Sequence, residues 1–114
     1  MEKISLEQEF YDAIAETRLT AAVFKTTWCK DCHFLEAFMP QILEKYDRQI
    51  HFIEVDRDEF IDLCDKYNVL GIPSFILFAQ GREVVRFVSK LRKTKEEVEQ
   101  FLDRAIEIHQ TLTR

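Results

Sequence analysis

Apolar positions along the chain switch between helical spacing and unbroken or alternating runs, and each switch marks an element. Leu6, Phe10, Ala13 and Ile14, with Tyr11 beside them, lie on one face of a predicted helix. Ser5, with Gln8 three residues on, has the form of a capping box opening it. Thr20-Ala21-Ala22-Val23-Phe24 is a short apolar run without alternation, as expected of a strand buried on both faces. Lys25 to Trp28 then turn into a long helical pattern from about Cys29 to Tyr46. Phe34, Leu35, Phe38, Ile42 and Leu43 form its buried side, and Pro40 inside it predicts a kink. A second strand is expected at His51 to Val55, a short helix from about Glu59 to Tyr67, and a third strand at Ser74 to Phe78, introduced by Gly71-Ile72-Pro73. Ala79-Gln80-Gly81-Arg82 is a turn signal, so Glu83 to Val88 should pair antiparallel to the third strand. Thr94, with Glu97 three residues later, caps a last helix to about His109, whose inward face is Val98, Phe101, Leu102, Ala105 and Ile108.

This order predicts an α/β domain: a mixed central β-sheet flanked by helices on both faces. Strands joined through helices are expected to run parallel and the hairpin to add antiparallel edges. No repeat or boundary divides residues 1–114, which read as a single domain. Composition agrees with a packed core, since 46% of residues are hydrophobic, ten are Phe, and Gly and Pro number two each. A net charge of −5 gives no electrostatic basis for nucleic-acid binding. No run approaches membrane-spanning length, so no membrane association is expected. The opening Met1-Glu2-Lys3-Ile4-Ser5 lacks a basic region followed by an apolar one, so no cleaved signal and a cytoplasmic location are expected. An odd count of three cysteines in that setting points to catalysis or metal binding rather than a disulfide framework.

The chemistry concentrates in Trp28-Cys29-Lys30-Asp31-Cys32. Cys29 falls where a buried strand turns into a helix, so a thiolate there faces free backbone N–H groups and the positive end of the helix dipole. Three-residue spacing on the first turn sets the second sulfur beside the first, allowing a reversible disulfide to close. Cys29 is expected to be exposed at the turn and act as nucleophile, and Cys32, tucked beneath, to resolve the mixed disulfide. Trp28 is expected to cover the site as a partly exposed lid. Lys30 favours the Cys29 thiolate and Asp31 opposes it, so the pair has no determined net sign.

Together with Ala22-Val23-Phe24, Val55-Asp56, Pro40, Gly71-Ile72-Pro73, and Phe78 followed by Gly81, this motif resembles the thioredoxin family from about Thr20 onward. The resemblance implies a thioredoxin fold, with Cys29 the attacking and Cys32 the resolving thiol. It also implies that Pro73 is the family's cis-proline packed against the active-site disulfide, and that the backbone of Ile72 pairs with an extended substrate segment. Four positions depart from the pattern. Lys30-Asp31 replaces the usual Gly-Pro and resembles the Trp-Cys-x-Asp-Cys thioredoxin-related subclass, whose members take a narrower range of substrates. Val23 stands where the family has a buried Asp that helps move the proton of the resolving thiol, and Phe52 where its partner Lys often stands. Ser89 replaces a glycine lining the substrate groove. Asp31, or a water it holds, is therefore expected to take over deprotonation of Cys32.

Other chemistries fit parts of the pattern. Cys29 to His33 also matches the Cys-x-x-Cys-His of haem attachment, which normally requires export. Zinc would need Cys29, Cys32, Cys64 and a histidine, yet no second closely spaced ligand pair exists. Cys64 reads first as a small buried residue and second as a regulatory thiol. His33, His51 and His109 read as surface or helix-face residues, and the basic run Lys90-Leu91-Arg92-Lys93 with Lys95 as solvated surface rather than an anion site, on the loop side open to partners. The expected activity is a monomeric dithiol reductase of protein or low-molecular-weight disulfides, cycling between Cys29/Cys32 dithiol and disulfide. No Gly-rich nucleotide fingerprint is present, so no cofactor is expected beyond that cysteine pair. Electrons would come from an NADPH-dependent thioredoxin reductase or a low-molecular-weight thiol. The alternative is a thioredoxin-fold adaptor that binds a partner, with redox activity secondary.

Overall fold

The computed structural model of the chain describes residues 1–113. The elements are β1 (Glu2–Lys3), α1 (Glu7–Ile14), β2 (Leu19–Lys25), α2 (Lys30–Glu36), α3 (Met39–Tyr46), β3 (Ile50–Asp56), α4 (Ile61–Lys66), β4 (Ser74–Ala79), β5 (Arg82–Phe87) and α5 (Lys95–Leu112). They form a five-stranded sheet in the order β1-β3-β2-β4-β5. β2 lies at its centre, pairing parallel with β3 and antiparallel with β4, and its first six residues are buried, as its unbroken apolar run predicts. The two-residue edge strand β1 pairs parallel with β3 and carries too short a pattern to be read beforehand.

Period-two alternation divides the core between the two faces of the sheet. Leu19, Ala21, Val23, Phe52, Phe75 and Leu77 meet Leu35 of α2, Ile42 and Tyr46 of α3, and Val98 and Leu102 of α5. Ala22, Phe24, Ile53, Val55, Ile76 and Phe78 meet Phe10, Ala13 and Ile14 of α1 and Leu63 of α4. The mixed sheet with helices on both faces is therefore as expected.

Four expectations are corrected. The first helix is not capped by Ser5 and Gln8: Glu9 Oε1 accepts from the backbone N–H groups of Ser5 at 2.7 Å and Leu6 at 2.8 Å, and Leu6, outside the helix, is exposed. The long helix over 29–46 is two helices, broken between Glu36 and Met39. Pro40 sits in the first turn of α3, where its missing N–H leaves no bond unmade, rather than at a kink. α4 is shorter than predicted. The strand direction also differs from expectation: a six-residue helix spans about 9 Å against about 23 Å for a seven-residue strand, and α4 does not carry the chain back along the sheet. The chain leaving β3 re-enters the sheet at the same end, so β4 runs antiparallel to β2 and begins beside its last residues, with Ser74 registered to Phe24. The start of α2 and the start of β4 are thereby brought to one edge of the molecule.

Candidate active site

At that edge β2 ends in Lys25, Thr26-Thr27-Trp28 make the turn, and Cys29 is the N-cap of α2. Cys29 Sγ accepts the backbone N–H of Cys32 at 3.2 Å, so the sulfur itself satisfies one of the free donors of the helix start. Both cysteines are free thiols. Cys32 is fully buried, and Cys29, expected to be exposed, is 7% exposed. Its use as the N-cap turns the sulfur back toward the helix and leaves it the more accessible of the two by a narrow margin.

Burial, the hydrogen bond to Cys29 and the charge of Cys29 push the Cys32 thiol up to about 12, while the Thr26 backbone N–H and the charge of Lys25 pull the other way. Lys25 is itself held by two carboxylates, Glu36 at 2.6 Å and Glu54 at 3.1 Å. Burial pushes it down, but these two hydrogen bonds outweigh burial and hold it above the ordinary lysine value. Val23 and Phe52, where the family's buried Asp and Lys are expected, lie in the apolar core on this same face. One pleat nearer the dithiol, Lys25 and Glu54 form a charged pair of opposite arrangement, with the cation on β2 and the anion on β3. Thr26 Oγ1 is buried and has no hydrogen-bond partner, alone among the described side chains.

The residues expected around the cysteines fall as follows. Trp28 is 61% exposed, its indole N–H donating to Asp58 Oδ2 at 2.7 Å and its ring lying 5.6 Å from the Arg57 guanidinium. The Ile72–Pro73 peptide bond is cis, with Ile72 half-buried and Pro73 buried. Gly71 lies so close to Ser89 that a Cβ would fall on the Ser89 carbonyl, and the Ser74 hydroxyl donates to the Gly71 carbonyl at 2.5 Å. Asp31 Oδ1 accepts from Arg92 at 3.0 Å, and that guanidinium also lies 4.4 Å from the Phe34 ring centroid. The run Lys90 to Lys93 is thus not simply solvated surface, because Arg92 pairs with Asp31 and Lys93 is buried. Sequence reasoning missed Lys25 and Lys93. The one available signal was a lysine closing an otherwise apolar buried strand; Lys93 had none.

Cys64 is buried on α4 among apolar side chains, and burial pushes its thiol up to about 11. No cluster of three His, Cys, Asp or Glu suited to a metal ion is present among the described residues. His33 engages the Thr27 carbonyl through Nε2 at 2.7 Å.

The thioredoxin family profile matches residues 2–104. The chain belongs to the thioredoxin family. Among its relatives, it is 38% identical over 79 residues to thioredoxin-2 of Pyricularia oryzae, a match spanning 68% of this chain and 44% of that protein's length. It is 35% identical over 80 residues to thioredoxin-1 of Saccharomyces cerevisiae, covering 70% and 77% of the two chains. The crystal structure of thioredoxin from Trypanosoma brucei brucei superposes with a TM-score of 0.80 at 25% identity, covering 92% of this chain and 89% of the other. This thioredoxin-family chain therefore has the thioredoxin fold, and its Cys29–Cys32 pair has the spacing of the family's redox motif.

Proposed function

We propose that the protein is a thiol–disulfide oxidoreductase that reduces disulfides of proteins or low-molecular-weight compounds. One observation carries this reading. Cys29 caps α2 with its sulfur on the Cys32 N–H, Cys32 is buried beside it, and both stand at the end of the sheet where cis-Pro73 leads into β4. Family membership and the paired cysteines support thiol–disulfide exchange as the general chemistry.

In the proposed cycle the Cys29 thiolate attacks one sulfur of the substrate disulfide. The S–S bond breaks, the other substrate sulfur leaves with the electron pair and takes a proton, and a mixed disulfide remains on Cys29. Cys32 then loses its proton and attacks Cys29 Sγ. The second substrate sulfur leaves and is protonated, and Cys29 and Cys32 are left as a disulfide. Two electrons and two protons from an external donor, a thioredoxin reductase or a low-molecular-weight thiol, restore the dithiol, with no cofactor other than the cysteine pair. Trp28 and the backbone of Ile72 beside Pro73 form the proposed substrate contacts. Asp31 is the proposed proton-handling group for Cys32. The protein is proposed to act as a cytoplasmic monomer; among the described residues no helix is long and apolar enough to cross a membrane.

The test is reduction of insulin by the protein with dithiothreitol, joined to capture of mixed disulfides by Cys32→Ser. Turnover by the native chain and covalent capture through Cys29 in the variant are expected. A Cys32→Ser protein that captures nothing, while the native chain leaves insulin intact, would turn the assignment toward a binding protein.

A further inference from the structure

Two guanidinium groups lie on exposed aromatic rings at either end of the cysteine motif, and the exchange cycle uses neither. Arg92, in the link between β5 and α5, lies 4.4 Å from the ring centroid of Phe34 on α2, two residues after Cys32. Arg57, just after β3, lies 5.6 Å from the ring centroid of Trp28, the residue before Cys29. Both rings are exposed. Contact with an aromatic face holds a guanidinium at the surface without consuming its N–H donors.

Those donors are largely free. Arg92 uses only Nε, given to Asp31 Oδ1 at 3.0 Å; its two terminal amino groups have no partner among the described residues, and its side chain is 54% exposed. The Arg57 guanidinium joins no hydrogen bond or ion pair among the described residues, where only its backbone N–H is used, by the Lys25 carbonyl. The carboxylates next to it in sequence are engaged elsewhere. Asp56 accepts the Asp58 and Glu59 N–H groups, Asp58 accepts the Trp28 indole, and Glu59 pairs with Lys3. Lys30, beside Asp31, is exposed, as is Lys90, which follows the Ser89 carbonyl that lies against Gly71, two residues before Pro73. Cations therefore border the dithiol on both sides in a chain whose net charge is −5.

We propose that Arg92 and Arg57 recognise carboxylates on the substrate, so that the preferred substrates are protein disulfides with Asp or Glu close to the attacked cysteine. The proposal rests on the oxidoreductase reading. An arginine bound through Nε keeps an end-on pair of N–H donors, and that pair matches the two oxygens of a carboxylate. Asp31 and Phe34 already hold Arg92 in place, so little side-chain freedom is lost when a substrate carboxylate binds. Neither arginine makes or breaks a bond. They select which disulfide is held, and thiol exchange then follows the steps given above.

Reduction of three symmetric peptide disulfides, alike except for Glu, Gln or Lys beside the cysteine, tests this with the full chain. The native protein is expected to favour Glu over Gln about fivefold in kcat/KM, and Gln over Lys. The net charge of −5 alone predicts the opposite order. Salt at about 0.5 M should cut the Glu preference to about twofold or less. Arg92→Gln should do the same at low salt, Arg57→Gln should lower the preference by a smaller factor, and Arg92→Glu should reverse the order. The ratio between peptides is the readout, because freeing Asp31 acts on every peptide alike. Two arginine variants that slow all three peptides together, with the Glu preference intact, would overturn the proposal. If the variants do not fold, the salt series on the native chain decides, and a preference indifferent to salt counts against it. Small disulfides separate the sources of the carboxylate. In stopped-flow reaction with dithiobis(nitrobenzoate), which carries two carboxylates, attack by Cys29 releases one coloured thiolate and resolution by Cys32 the second. Arg92→Gln should slow the first phase more than it slows attack on neutral dithiodipyridine. That effect without any peptide preference would assign the carboxylate to a low-molecular-weight substrate and overturn the protein one. A native chain that reduces none of these disulfides defeats the oxidoreductase reading instead, whereas equal reduction of all three peptides defeats carboxylate recognition alone.

Discussion

Cys32 and Cys64 sit in regions that look alike from the backbone. Each is buried on a helix of six or seven residues, α2 and α4, and the two helices contribute to the cores on opposite faces of one sheet. Burial pushes both thiols up, to about 12 and about 11. The surroundings differ. Cys32 has a second sulfur, the Thr26 N–H and the charge of Lys25 close by, and its charge acts on Lys93, while Cys64 has apolar packing and the charges of Arg57, Asp65 and Asp56. Burial by itself therefore makes a thiol inert, and a redox site needs groups that can accommodate the charge when the reaction produces it.

The largest effect expected from this contrast is on turnover. Cys32→Ser should lower steady-state disulfide reduction by about 10³-fold or more, because an intramolecular resolving thiol is replaced by an external one. Cys64→Ser at the matching position should leave the rate unchanged. A comparable loss from Cys64→Ser, measured in the same insulin assay, would place both cysteines in one mechanism and abolish the distinction.

Stability at alkaline pH should treat the two thiols alike. In each case the folded value lies above the ordinary thiol value of 9.0, so folding favours the protonated form. The associated stability is complete below about pH 9 and is lost as pH rises through about 11 for Cys64 and about 12 for Cys32, the unfolded chain releasing its protons first. At about pH 10 the loss is about 1.4 kcal/mol for each thiol. Cys64→Val should therefore lose about 1.4 kcal/mol less than the native reduced chain between about pH 8 and about pH 10 in urea unfolding. Equal losses in variant and native chain would mean that Cys64 is not shielded from water as its packing implies.

Asp31 sharpens the contrast from the Cys32 side. If it takes the Cys32 proton, Asp31→Asn should slow the second phase of the dithiobis(nitrobenzoate) reaction by about tenfold, below the usual range for positioned proton transfer because Arg92 holds one of its oxygens. Were Asp31 merely an anion near the thiolate, its neutralisation would speed that phase. The sign of the change decides.

Legibility in the sequence followed the range of the forces involved. The buried strand β2, the hairpin, the Thr94–Glu97 cap and the Cys29–Cys32 motif at a strand-to-helix join are local patterns, and all stand where residue spacing placed them. The break between α2 and α3 was hidden because Pro40 suits the first turn of a new helix as well as a kink in an old one. The direction of β4 is set by where the whole connection after β3 packs, a long-range outcome that no local pattern around α4 encodes. Lys93 was illegible for a different reason. A lysine within Lys90-Leu91-Arg92-Lys93 carries every mark of solvated surface, yet the link folds back so that Lys93 meets Ser89 and Phe87, four and six residues earlier, and is buried.

The smallest effect expected is at Thr26, whose hydroxyl belongs to the Cys32 side of the comparison. Thr26 Oγ1 is buried without a partner while the Thr26 N–H faces Cys32. An unsatisfied buried hydroxyl destabilises the fold, and valine has nearly the same shape without the polar atom. Thr26→Val should therefore raise the urea midpoint by the equivalent of about 1 kcal/mol with an unchanged m-value. The second phase of thiol exchange should keep its native rate, because the backbone N–H that reaches Cys32 is retained. A stability loss, or slower resolution at native stability, would mean that the hydroxyl has a working partner during the reaction. Thr26 would then join the groups that set Cys32 apart from Cys64.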